Sequence, residues 1–186
     1  MLIAVSGLAG AGKTTAISFL QKAAVGTLFY VGEYLHHEIR RRGMHVTPDT
    51  ERRVREDLRA RDGMAAMAKL AMPALTERVA VGRVLIDAIY CEEERQFYYE
   101  RFGERVVVIG IRASMATRAS RLVDRPDRPL SVEQLKKRDT YETDKLRIGH
   151  VIASANYCLD NESTMTEFER RLEAIAEDIL TRDAPT

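Results

Sequence analysis

The chain has 186 residues, 45% of them hydrophobic, with 29 Lys or Arg against 28 Asp or Glu and a formal net charge of +1. That length suits one domain able to bury about 70% of the surface its unfolded chain exposes. The near-neutral balance argues against a general nucleic-acid binder, and no apolar run approaches the roughly 20 residues that span a bilayer.

The start carries the densest information. Residues 2–6 (LIAVS) read as a buried strand. Gly7-Leu8-Ala9-Gly10-Ala11-Gly12-Lys13-Thr14-Thr15 then matches G-x-x-x-x-G-K-[ST] and opens an apolar-periodic helix. Glycines let the backbone turn inward and present many N–H donors to a polyphosphate. The helix N-terminus adds free amides and its positive dipole end. Lys13 reaches the β- and γ-phosphates in such a loop, and the Thr14 hydroxyl binds Mg²⁺. ATP and Mg²⁺ are therefore the expected cofactors, with residues 7–15 as their cradle.

A helix to about Ala24 and a second strand over 27–31 follow. Glu33, at the carboxyl end of that strand, stands where parallel α/β sheets bind ligands. Arg40, Arg41 and Arg42 either serve the same site or form a solvated helix end. Thr47-Pro48 reads as an N-cap with proline at the first helical position. The helix after it is almost wholly charged, with Val54 and Leu58 as its large apolar residues, and ends at Gly63. An apolar helix over 64–79 follows, with Pro73 expected to kink it. This insert exceeds what a plain crossover needs, which implies a mobile substrate-holding arm.

Residues 83–87 (RVLID) read as a third strand that delivers Asp87 to the phosphate edge, as Mg²⁺ binding requires. A fourth strand covers 105–111. Ser114 can cap a helix bearing Arg118 and Arg121, and a proline-bounded basic turn over 125–129 leads to another charged helix with Arg138 and Asp139. Helix, turn and helix read as a lid that closes over phosphates and excludes water. Residues 112–147 hold ten Lys or Arg against six Asp or Glu, and 23 of the 29 basic residues are arginine, which suits bidentate phosphate contacts. A fifth strand over 156–160 and an amphipathic helix over 165–181, with Phe168, Leu172, Ile175 and Ile179 on one face, close the sheet; the tail from Arg182 is expected to fray. Cys91 and Cys158 lack metal-ligand or redox spacing and are expected as packed thiols. The apolar start is too short for a leader, so a cytoplasmic protein is the expectation.

With these parts in order, the chain resembles the small P-loop kinases, nucleoside monophosphate kinases and dephospho-coenzyme A kinase among them, and more narrowly the archaeal adenylate-kinase-related proteins. The likeness rests on residues 7–15, Gly32-Glu33, Leu58-Arg59, Asp87, Thr117-Arg118, Arg121-Leu122, Arg138-Asp139 with Glu142, Ile148-Gly149, and Asn156-Tyr157 with Asn161. It implies an α/β, three-layer P-loop NTPase fold: a five-stranded parallel sheet with helices on both faces, a helical substrate arm and a basic lid. One domain over 1–182 is expected, with core 1–31, 80–112 and 150–182, arm about 32–79 and lid about 113–149. By the same resemblance Glu33 lies near metal and acceptor, and Arg59 holds an acceptor phosphate. Arg118, Arg121 and Arg125 serve the lid, and Asn161 lies near the adenine.

Two positions depart from the resemblance: His36 and Tyr90 stand where arginines toward the acceptor are expected. The implied activity is ATP-dependent phosphoryl transfer to a nucleoside monophosphate or nucleotide-like small molecule, with His36, Arg40 and Arg59 as acceptor-side candidates. A monophosphate needs no general base, whereas a hydroxyl acceptor calls for a carboxylate, Glu33 or Asp87. The missing arginines also admit a nucleotide-binding switch that acts through a macromolecular partner. Neither a guanine-reading Asn/Thr-Lys-x-Asp nor a Leu-Ser-Gly-Gly signature is present, and neither sequence-specific nucleic acid nor membrane is an expected partner.

Overall fold

The computed structural model describes residues 1–123, 125 and 129–182. Part of the expected basic turn, positions 126–128, and the tail at 183–186 lie outside the described residues. Five strands, β1 (Leu2–Ser6), β2 (Thr27–Phe29), β3 (Val84–Ile86), β4 (Val106–Arg112) and β5 (Tyr157–Asp160), form one parallel sheet in the order β2-β3-β1-β4-β5. The expected five-stranded parallel α/β sheet is thus present.

β1 is central, which its sequence requires: all five residues are buried, and alternate side chains face opposite layers. Leu2 and Ala4 enter the core on one face, with α2 (Gly32–Arg41), α3 (Pro48–Asp62), α4 (Ala66–Val81) and α5 (Glu92–Phe102). Ile3 and Val5 enter the other, against α1 (Lys13–Lys22) and α9 (Met165–Arg182). The expected stripe Phe168, Leu172, Ile175 and Ile179 is buried there.

The segment expected as an arm is packed onto the sheet along its length. Leu35 and Ile39 of α2, Val54 and Leu58 of α3, and Ala68, Ala71, Leu75 and Val79 of α4 join one cluster. α4 runs on through Pro73. At α3 the Thr47 side chain accepts from the Thr50 amide and the Thr50 side chain accepts from the Thr47 amide, a reciprocal cap with Pro48 as first residue.

The lid region comprises α6 (Met115–Val123), α7 (Val132–Thr140), a π-helical turn (Tyr141–Lys145) and α8 (Ile148–Ala153). It has its own small core, with Ala9 of the glycine loop set against Leu122 and Leu135. Of the two cysteines Cys91 is buried as expected, but Cys158 is exposed, because β5 is an edge strand. Among the described residues no helix is long and apolar enough to cross a membrane.

Phe168 sits fully buried beneath the glycine loop, where a Cβ on Gly12 would lie 3.5 Å from the tip of its ring. Phe168→Ala should cost about 3–5 kcal/mol of stability, read as a lower urea midpoint with little change in slope.

Candidate functional site: a phosphate cradle and its neighbouring cleft

The glycine loop turns out of β1 where parallel sheets place ligands, beyond the carboxyl ends of the strands. Its backbone explains its composition. Gly10 and Gly12 have φ of +80° and +113°, a region closed to most side chains, and a Cβ on Gly12 would come 2.4 Å from Asn161 Nδ2. A Cβ on Gly7 would approach the Ile111 carbonyl to 2.6 Å. The Ala11 amide donates to the Leu8 carbonyl at 3.1 Å, closing the turn.

Lys13, the first residue of α1, folds back so that Nζ donates to the carbonyls of Gly7 (2.8 Å) and Leu8 (3.3 Å). Burial pushes its ammonium below the ordinary lysine value, and the charges of Asp87 and Glu142 pull it back up. Thr14 stays exposed and Thr15 half-buried at the head of the helix.

Asp87 reaches this edge because β3 pairs with β1, setting Ile86 beside Ala4. A hydroxyl not anticipated as functional fixes the loop beyond it. Ser6 Oγ donates to the Ile89 carbonyl at 2.9 Å and accepts from the Ile89 amide at 3.2 Å. Burial raises the Asp87 carboxyl pKa above the usual value, against the lowering pull of Lys13, Arg138 and Arg125. Its Oδ1 is buried without a hydrogen-bond partner.

The lid arginines divide into separate roles. Arg118 is buried and grips Asp139 with two bonds, at 2.9 and 2.6 Å, while also donating to the carbonyls of Ala9 (3.2 Å) and Ala113 (3.1 Å). Its guanidinium thus joins the lid helix to the glycine loop. Arg121 donates to the backbone carbonyl and Oδ1 of Asn161, at 3.0 and 3.3 Å. Asn161 is buried and its Nδ2 donates to the Ala11 carbonyl at 2.8 Å, so its amide braces the glycine loop. Arg125 is exposed, and its charge acts on both Lys13 and Asp87.

On the acceptor side the structure gathers some expected residues and disperses others. Arg59 is buried: Nη1 donates to the Tyr141 hydroxyl at 3.2 Å, Nη2 stands 3.8 Å from Glu94 Oε1, and Nε has no partner. Glu94 Oε2 accepts from the Tyr90 amide at 2.9 Å. The Tyr90 phenol is pushed up in pKa, by burial first and then by Asp87 and Glu142. Glu142 Oε1 accepts from Arg138 Nε at 2.7 Å, while Oε2 is buried and unpartnered. Glu33, by contrast, is exposed on α2, 3.8 Å from His37, and lines a separate cavity of about 210 Å³ with Tyr30, Tyr34 and Arg78. His36 bonds Glu51 at 2.9 Å and thereby ties α2 to α3. Arg40 is exposed, while Arg41 and Arg42 both bond Glu38.

Ser6, Glu94 and Tyr141, to which sequence reasoning gave no role, and Arg138 and Glu142, which it knew only from the lid and the resemblance, contribute the remaining contacts. Arg138 and Glu142 carried a signal in their i,i+4 spacing, which meets on one helical face. Glu94 carried none, since a run of three glutamates reads as a solvated helix start.

Comparison with known proteins agrees with this architecture. A sequence model described as an AAA domain matches residues 3–142. The chain is 32% identical over 184 residues to a UPF0200 protein of Thermococcus onnurineus, covering 97% of this chain and 98% of that one. The chain belongs to the UPF0200 family. A second member of the family, from Thermococcus sibiricus, is 33% identical over 181 residues, with 95% and 94% coverage. Among solved structures the protein TT1252 from Thermus thermophilus aligns with TM-score 0.63 at 18% identity, covering 96% of this chain and 97% of that one. The shikimate kinase of Bacteroides thetaiotaomicron aligns with TM-score 0.59 at 17% identity, covering 96% and 98%. At such identities these two alignments establish a shared fold, and the UPF0200 chain has the fold of small P-loop kinases.

The buried Arg118–Asp139 pair gives a direct test of how lid and loop are joined. Arg118→Met leaves Asp139 uncompensated and should cost about 3–5 kcal/mol, whereas Arg118→Met with Asp139→Leu should recover most of the loss. Thermal or denaturant unfolding of the three proteins checks this.

Proposed function

We propose that this protein is an ATP-dependent phosphotransferase acting on a nucleotide-like small molecule. The observation that carries the reading is the glycine loop at the carboxyl end of β1, with Lys13 folded back onto its carbonyls and Asp87 following the adjacent parallel strand β3. In this reading the loop amides and Lys13 hold the donor phosphates. The exposed Thr14 hydroxyl and the Asp87 carboxylate, whose Oδ1 is buried and unpartnered, fit a hydrated Mg²⁺ and would hold it. When bound, that ion would supply neutralising positive charge to the phosphates. In this reading Arg121, Arg125 and Arg138 offset charge on the group in flight.

The segment 32–79 then positions the acceptor, with Arg59 as its anchor, and 113–149 acts as the lid. Glu33, His36 and Arg40 stand outside this cleft and are assigned no part in transfer. Two acceptor chemistries remain distinct. A nucleoside monophosphate would present further negative charge to Asp87 and Glu142, where Tyr90 supplies none of the compensation an arginine would. A hydroxyl acceptor brings no such charge and suits this pair of acids better.

The test is product analysis after incubation with Mg-ATP and a panel of nucleoside monophosphates and dephospho-coenzyme A. Stoichiometric phosphorylated product supports the reading. Release of inorganic phosphate alone, stimulated by a macromolecule, would mark a nucleotide switch. Lys13→Ala should lower turnover by roughly 100-fold or more with an unchanged circular dichroism spectrum, since Nζ faces loop carbonyls and not the apolar core. Near-normal turnover in that variant would remove the cradle assignment.

A further inference from the structure

Asn161, which the resemblance sets near the adenine, turns its side chain into the protein and is 6% exposed. Its Nδ2 donates to the Ala11 carbonyl at 2.8 Å, and its Oδ1 accepts from Arg121 Nη2 at 3.3 Å. A guanidinium only donates and a carbonyl only accepts, so these two partners fix which way round the amide lies. The backbone beside it is held separately. The Asn161 N–H donates to the Arg112 carbonyl at 2.8 Å, and the Asn161 carbonyl accepts from Arg121 at 3.0 Å. The next residue, Glu162, accepts from the Ser114 amide and the Thr117 hydroxyl of the α6 start. The side chain is thus presented to the glycine loop from a fixed mount.

Its contact falls where the direction of one peptide decides what the loop offers. Gly12 has φ of +113°, and a Cβ added there would stand 2.4 Å from Asn161 Nδ2, so the amide packs directly against the glycine. The Ala11–Gly12 bond is trans, which points the Ala11 carbonyl and the Gly12 N–H to opposite sides. With the carbonyl drawn to Asn161, the N–H is turned away from Asn161. The reverse orientation would put a carbonyl oxygen, with its partial negative charge, where that N–H stands. An anion cradle works with the first arrangement and is spoiled by the second.

We propose that Asn161 is a positioning residue for polyphosphate binding: its side-chain amide sets the Ala11–Gly12 peptide with the N–H toward the cradle, and it makes no contact with the nucleobase. The inference rests on the phosphate-cradle part of the reading above and is independent of the acceptor. Asn161→Asp keeps the size of the side chain and an acceptor for Arg121, but it sets a carboxylate oxygen against the Ala11 carbonyl. Two acceptors repel, and the peptide relieves this by turning its N–H to the carboxylate, which withdraws that donor from the cradle. Asn161→Ala leaves the Ala11 carbonyl without its partner.

The experiment measures the Kd of Mg-tripolyphosphate, Mg-ATP and Mg-GTP by calorimetry for the wild type and both variants, at a temperature where unfolding curves show them folded. Both variants should bind tripolyphosphate and ATP about tenfold or more weakly, by one common factor, with the ratio of ATP to GTP affinity unchanged. A residue serving the fold alone would lower the unfolding midpoint and leave these constants where they were. Nitrogen-15 NMR of the wild type needs no variant to fold: the assigned Asn161 side-chain amide resonance should move on addition of tripolyphosphate alone.

Weaker ATP binding with tripolyphosphate binding intact would place Asn161 at the base and overturn the proposal. So would a changed ratio of ATP to GTP affinity, or a resonance that ATP moves and tripolyphosphate does not. Unchanged affinity for all three ligands would reduce Asn161 to a support of the fold and overturn it as well. Wild-type protein that takes up neither tripolyphosphate nor ATP would instead remove the cradle reading beneath it.

Discussion

A half-buried lysine sets the terms for this molecule. Placing an ammonium in a low-dielectric pocket is costly unless oxygens surround it, and Lys13 answers that demand with two loop carbonyls and the fields of two carboxylates. One of those carboxylates comes from the neighbouring strand. β1 and β3 must therefore lie side by side in register, although a helical excursion separates them in sequence. Ser6 then locks the loop after β3 to the end of β1 from both directions. The apolar layers on the two sheet faces hold those strands together, and the cradle sits where their carboxyl ends stop.

The lid extends the same logic. A free guanidinium deep in the protein would be as costly as a free ammonium, and Arg118 is satisfied by Asp139 and two carbonyls, one of them Ala9 in the glycine loop. Arg121 reaches Asn161, which in turn holds Ala11. Two separate chains of bonds therefore run from α6 into the loop, and the small core of Ala9, Leu122 and Leu135 fills the space between. The conformation of the glycine loop and the seating of α6 are one arrangement. An arginine-rich helix pair in sequence becomes, in space, part support and part charge.

Local physics made the sheet and cradle legible. Alternating or continuous apolar runs marked each strand, the glycine spacing marked the turn, and Thr47-Pro48 marked a helix start, because each of these is decided within a few residues. The acceptor side was harder to read for the opposite reason. Glu94, Tyr141 and Glu142 acquire meaning only when α3, α5 and the lid root converge, and a π-helical turn has no compositional signature comparable to a cap. Helix α5 itself was hidden by its pattern, charged at its start and aromatic in its middle, with Glu94 and Tyr98 rather than an aliphatic stripe as its buried residues. The strand before Glu33 ends at Phe29 and α2 turns its carboxylate outward beside His37, an exposed placement that order in the sequence does not show.

Charge balance in the cleft follows from those same two positions. His36 is engaged by Glu51, so it joins helices rather than facing a ligand. Tyr90 is neutral: desolvation first, and then the charges of Asp87 and Glu142, push its phenol pKa up. With arginine at either position the cleft would carry added cation beside both acids and would suit a second phosphate. With histidine spent and tyrosine neutral, Arg59 alone supplies the buried cation on the acceptor side among the expected residues, and the two acids keep an unpaired oxygen each. In the proposed transfer, a cleft of that composition would suit an acceptor with hydroxyl donors and an anionic group, and selectivity would come from the penalty of leaving those buried carboxylate oxygens unmatched.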